Sequence, residues 1–272
     1  MPRLGALAIV LAIVFPFINT PGAWPAAGTL TQFNCDYASG VNGSFSGAPQ
    51  IVGWELGGNS GYGWWGLSVN NPTVGCGNQF TISGATTTEI IGVSSANTMV
   101  GFFKNKTGWQ GFVWCCPGTS TGVAATFSVN GSTYTRAAGV NSGGVDGSGN
   151  KVAWVVGQYQ SGGTQHGFAV ECNITASPPT QEPGTLVTFD VTGAAYTIPT
   201  GINDAGAIVG KYTDTAGNTN GFILDAIPTT SGPVAPKTMN CAALTIQPLT
   251  ASAILTSLTR TPPRPSSWAW PQ

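Results

Sequence analysis

Short apolar and β-branched runs alternate along this chain with clusters of Gly, Asn, Asp and Thr. In the best-patterned stretch the runs are Leu186–Val191, Ala194–Ile198, Ala207–Thr213 and Gly221–Leu224. Runs this short, bounded by turn residues, predict β-strands rather than helices. Asn203-Asp204-Ala205-Gly206 reads as a tight turn, because Asn and Asp bond their own backbone and Gly accepts positive φ. Asp214 to Asn218 reads as a hairpin loop by the same logic.

The pattern recurs. Residues 201–222 read GINDAGAIVGKYTDTAGNTNGF. The same skeleton stands at Gly139-Val140-Asn141, Val155-Val156-Gly157 and Gly167-Phe168, and again at Gly92-Val93-Ser94, Met99-Val100-Gly101 and Gly111-Phe112. A looser copy has Gly40-Val41-Asn42, Ile51-Val52-Gly53 and Gly63-Trp64. An F-x-[IV]-x-G element opens three copies at Phe80, Phe127 and Phe189; the first copy lacks it and reads as shortened. The copies lie near residues 33–70, 80–116, 127–172 and 189–225, and copy three carries an insertion at 142–153. Four short antiparallel strands per ~50 residues, repeated, predict an all-β, propeller-like array of about four four-stranded units. A β-sandwich or a β-solenoid is the alternative. Leu244-Thr245-Ile246 echoes an opening strand and is expected to close the array, making 28–249 one domain and 250–272 a disordered Pro/Ser/Thr tail.

These motifs resemble the bacterial extracellular HAF repeat family, whose G-I-N-x-x-G-x-I-V-G-x-Y units end in a [HN]-[GA]-F element. The resemblance is close over Gly201 to Phe222 and looser in the first copy. It implies a secreted or surface-associated repeat protein and no particular reaction. The N-terminus agrees: Arg3, the apolar run Leu4–Ile18 and small residues through Ala27 read as a signal peptide over 1–27. The expected location is therefore extracellular or at the cell surface, with no membrane contact in the mature form.

Charge narrows the partner. Charged residues are 7% of the chain, and nine basic against ten acidic residues give a net charge of −1. Residues 28–225 keep Lys104, Lys106, Arg136, Lys151 and Lys211 with all ten acids, a net of −5. Nucleic acid needs a basic patch and is excluded. With so few charges to screen, ligand binding is expected to be insensitive to salt.

Catalytic signals are thin. His166 is the only histidine and is read as a hydrogen-bonding turn residue. No nucleotide loop, nucleophile elbow or zinc-protease motif occurs, and no cofactor or metal is expected. Asp146 to Asn150 resembles a calcium loop but lacks the glycine and acid that complete one. The favoured function is a non-catalytic scaffold or binding surface for a glycan or an extracellular protein. The alternative is an extracellular polysaccharide hydrolase using two carboxylates. Aromatic faces suit sugar rings, so Trp109, expected in a loop at Lys104–Gln110, with Trp64, Trp65 and Tyr62, is the candidate binding set.

Six cysteines in an exported chain predict disulfides. Cys116 and Cys172 stand at equivalent places in neighbouring copies, and Cys76 lies in the connection next to Cys115. Cys35 and Cys241 would then join the ends of the array.

Overall fold

In the computed structural model the described residues are 35–43, 50–57, 60–68, 78–114, 124–175, 179–182 and 185–237. They form an all-β structure with no helix. The first unit contains β1 (Tyr37–Val41), β2 (Gln50–Gly57), β3 (Ser60–Ser68) and β4 (Asn78–Phe80). The second contains β5 (Thr87–Val93), β6 (Met99–Asn105), β7 (Gly108–Trp114) and β8 (Ala125–Phe127). The third contains β9 (Tyr134–Val140), the short β10 (Gly144–Val145), β11 (Lys151–Ser161), β12 (Thr164–Asn173), the short β13 (Thr180–Gln181) and β14 (Val187–Val191). The fourth contains β15 (Ala194–Ile202), β16 (Ile208–Asp214) and β17 (Thr219–Leu224), and β18 (Gly232–Val234) returns to pair with β14.

Within each unit the strands are antiparallel neighbours. Single parallel pairs, Gly61 with Thr87 and Trp109 with Tyr134, join the first three units into one fifteen-stranded mixed sheet. The fourth unit is a separate three-stranded sheet, and neither sheet is closed. The first strands lie side by side, β1 against β5, β5 against β9 and β9 against β15.

The opening elements pair differently from the order in the sequence. The strands ending at Phe80, Phe127 and Phe189–Val191 add to the last strand of the preceding unit, β4 on β3, β8 on β7 and β14 on β12. The first unit is therefore not the shortened one. Among the described residues it is β17 that lacks such a strand, although the Lys237 N–H already donates to the Ile223 carbonyl at 3.0 Å. The expected closing strand at 244–246, the signal segment 1–27 and the tail 250–272 lie outside the described residues.

The repeated motifs have packing causes. In every unit the first strand carries a bulge just before the Gly of its Gly-x-Asn element, Gly-x-Ser in the second unit. Bulges turn the local backbone, and here a carbonyl meets the Val-Gly glycine of the next strand. A Cβ on Gly53, Gly101, Gly157 or Gly210 would stand 1.9, 1.9, 2.0 or 2.4 Å from the carbonyl oxygen of Tyr37, Glu89, Arg136 or Ile198. The aromatic of the Gly-Phe element is that glycine's cross-strand partner: Trp64, Phe112, Phe168 or Phe222. The Gly of Gly-Phe repeats the arrangement one strand further out. Phe127 covers Gly111 and Phe189 covers Gly167, each ring 2.9 Å from where a Cβ would be.

A threonine links each opening strand to the unit that follows. Thr88, Thr135 and Thr197 are fully buried, and their hydroxyls accept the N–H of Ile82, Val129 and Val191 at 3.1, 3.0 and 3.0 Å. The intervening glycines, Gly84, Gly131 and Gly193, hold φ near +77°. Asn42, Ser94, Asn141 and Asn203 close the next turn by accepting a backbone N–H from Gln50, Thr98, Trp154 and Ala207.

The core lies between units rather than within one sheet. Val100 and Val113 pack with Val155, Phe168 and Val170. Val156, Phe189 and Val191 pack with Ile208, Phe222 and Leu224. Val52 packs with Ile90, Phe103 and Phe112.

Cysteines divide sharply. Cys35 is disulfide-bonded and packs beside Ile51 and Trp64. Cys172 departs from the expectation of pairing. It is a free thiol, 1% exposed in the core opposite Ala153, with burial pushing its pKa up to about 12. Cys76, Cys115, Cys116 and Cys241 lie outside the described residues. Thiolate is the reactive species, so Cys172 is expected to resist iodoacetamide in the native protein and react in guanidinium. Peptide mapping after alkylation checks this; native labelling would show the site is open.

Candidate functional site

The four units share a framework, and one register position in it carries different chemistry in each. It is the cross-strand pair between the first strand and the residue after the Val-Gly glycine. The pairs are Tyr37 with Trp54, Glu89 with Phe102, Arg136 with Gln158, and Ile198 with Lys211. Tyr37 and Trp54 stack with ring centroids 4.0 Å apart. The Arg136 guanidinium lies 3.8 Å from the Phe102 ring centroid, in the unit before its own.

Two cavities flank Arg136. One, of about 350 Å³, is lined by Trp109, Tyr134, Arg136 and Gln165. The other, of about 310 Å³, lies where the first strands meet and includes Trp54, Glu89, Phe102, Arg136, Gln158 and the bulge residues Ile91, Ala138 and Thr200. Trp109 meets Phe102 edge-on at 5.5 Å, with Arg136 5.5 Å and Lys104 5.6 Å from its ring. Gln158 donates to the Tyr134 hydroxyl at 3.1 Å, while its own carbonyl oxygen is buried without a partner. Burial raises the Tyr134 pKa, with Arg136 opposing.

Burial also raises the Glu89 carboxyl above its ordinary range, opposed by the Arg136 charge. A raised carboxyl pKa in the folded state favours the folded protein below the ordinary value, and that advantage is lost as pH climbs through the raised one. The stability of the parent relative to Glu89→Gln is therefore expected to fall between about pH 4 and pH 7. Urea midpoints at both pH values read this; a rise would mean that attraction to Arg136 outweighs burial.

The candidates from sequence are scattered by the fold. Trp109 is half-buried on β7 rather than in a loop, since Asn105 pairs with Gly108 and the hairpin turns at 106–107. Trp64 is 0% exposed and belongs to the core, so it offers no face to a ligand. Trp65 packs edge-on against Trp114 at 5.6 Å. Tyr62 donates to the Glu55 carboxylate at 2.6 Å, which raises its own pKa. These three lie in the first unit and do not line the Trp109 cavity.

His166 sits on β12 rather than in a turn, because Ser161 pairs with Thr164 around Gly162 and Gly163. Its Nδ1 is 2.8 Å from Asp190, and its ring stacks on Tyr159 at 5.1 Å. Asp146, Glu171 and Asp204 line another cavity, but two of these carboxylates are already engaged. Asp146 accepts from Ser148 and Asn150, and Asp204 accepts the Ser142 N–H. The Asp146 loop repeats at Asp214, which accepts from Ala216 and Asn218; hydrogen bonding lowers both carboxyl pKa values.

The residues missed from sequence are Arg136, Tyr134, Gln158 and Gln165. The signal for Arg136 and Gln158 is a column of the repeat alignment in which all four copies differ beside the invariant Val-Gly glycine; Tyr134 and Gln165 carry no such signal. No protein-family model matches this chain, and no curated protein is similar to it.

Proposed function

We propose that this chain is a secreted, non-catalytic repeat protein that binds a glycan on the face formed by Trp109, Tyr134, Arg136 and Gln165. The observation that carries the reading is the cavity in which Arg136, at a register position that differs in every unit, meets Trp109, Tyr134 and Gln165. Framework residues repeat because they pack; a position free to differ, beside a cavity, is where recognition chemistry is accommodated. Two aromatic rings and a primary amide suit a sugar ring, whose C–H face stacks on π-systems while its hydroxyls take hydrogen bonds.

The architecture we infer is a propeller-like array of the HAF type. Support comes from first strands that lie side by side, cores shared between successive units, and outer strands contributed by the next copy. A glycan array followed by titration of Trp109→Ala tests the function. Loss of one stacked ring costs about 0.5–1.5 kcal/mol beyond its buried area, so affinity should fall about tenfold or more while the melting temperature holds within a few degrees. Unchanged binding by Trp109→Ala overturns the site.

A further inference from the structure

We propose that the ligand of the Trp109 face is an acidic saccharide whose carboxylate is held by Arg136, an inference that rests on the glycan-binding reading. A guanidinium offers five N–H donors in a planar fork. The Arg136 side chain has no hydrogen bond and no ion pair to any described residue; the ion pairs among the described residues are His166–Asp190 and Lys237–Asp225. Its Nε is buried without an acceptor. A buried donor left unmatched is costly, more so when charged, and structures rarely retain one without a use for it. Glu89 shares the inner cavity yet is not within ion-pair distance of Arg136.

The surroundings hold the guanidinium ready rather than neutralise it. Phe102 supports its plane at 3.8 Å, and Trp109 and Tyr134 flank it at 5.5 and 6.0 Å. Lys104 approaches the same Trp109 ring from outside. Two of the five cations between residues 28 and 225 thus converge on one indole, in a stretch whose net charge is −5. A densely charged polyanion would be repelled by the rest of that surface. A sugar bearing one carboxylate per ring presents its anion to the fork bidentately and its C–H face to Trp109. The salt-insensitive binding expected from the low charge content should therefore not hold for this ligand.

Calorimetric titration of the full chain with oligogalacturonate, oligoalginate and a glucuronate-containing oligosaccharide tests this, with cellotetraose as the neutral probe and a sulfated disaccharide as the other anion. At least one uronate should bind about tenfold or more tighter than cellotetraose, and that margin should shrink as NaCl is raised. Arg136→Gln should remove the margin and Arg136→Lys should restore only part of it. Lys104→Gln, at an exposed position, should reduce it less. Equal, salt-insensitive binding of neutral and uronate sugars overturns the carboxylate but leaves the glycan reading. Preference for the sulfated sugar, or an uronate margin that survives Arg136→Gln, overturns the assignment to an Arg136-held carboxylate. Binding of no saccharide overturns both proposals.

Discussion

Replacing Phe168 or Phe222 by alanine is expected to destabilise the protein by about 3–5 kcal/mol, the range for deleting a buried phenyl ring. Phe168 is 0% exposed and Phe222 5%. Each ring also sits where the surroundings cannot collapse into the space it leaves. The cross-strand neighbour of Phe168 is Gly157, and that of Phe222 is Gly210, residues with no side chain to move inward. Phe168 further packs with Val100 and Val113 of the preceding unit, so its loss opens the seam between two units. Urea unfolding measures the effect. A Phe222→Ala protein as stable as the parent would show that the ring is not part of the core described.

Adding a single methyl group is the second large effect. Gly101→Ala would bring Cβ to 1.9 Å from the Glu89 carbonyl oxygen and 2.9 Å from the Phe112 ring. Neither obstacle is the free end of a flexible chain. One is strand backbone next to a bulge, and the other is a fully buried ring. Overpacking costs about 1–3 kcal/mol and occasionally more; with backbone on one side the expected loss is about 3 kcal/mol. Gly144→Ala is the control, because nothing lies within 4 Å of its Cβ position. It should be neutral or slightly stabilising. Equal stability of the two variants would refute the bulge-and-glycine account.

Much of this structure could be read from the repeats. Gly206, at φ +82°, and Asn203, which accepts the Ala207 N–H, form the turn that Asn203-Asp204-Ala205-Gly206 predicts. The pairing of the opening strand was not legible, since a segment's own period does not say which edge it joins. The choice is made by tertiary fit: the Phe127 ring lies over Gly111, and the Phe189 ring over Gly167. Tryptophan content does not mark the site, because Trp64 takes the framework place held by Phe112 in the next unit. Arg136 was counted only as one charge among few. Its meaning depends on Phe102, 34 residues away in sequence, being the surface on which it rests.

Because each unit takes its outer strand from the next stretch of chain, the copies are laid like bricks with staggered joints. A protein cut after Cys172, at the end of a copy as read in sequence, would leave the edge of β12 bare and Gly167 uncovered. One cut after Val191 keeps that edge paired and Gly167 covered, although it runs into what sequence reading assigns to the following copy and moves the open edge to β14, which loses β18. Bare edges invite pairing with other chains, so the phase in which such an array is shortened or lengthened decides which strand is left open to them. The natural seam for recombination falls at Gly84, Gly131 and Gly193, between an outer strand and the threonine that ties it to the unit beyond.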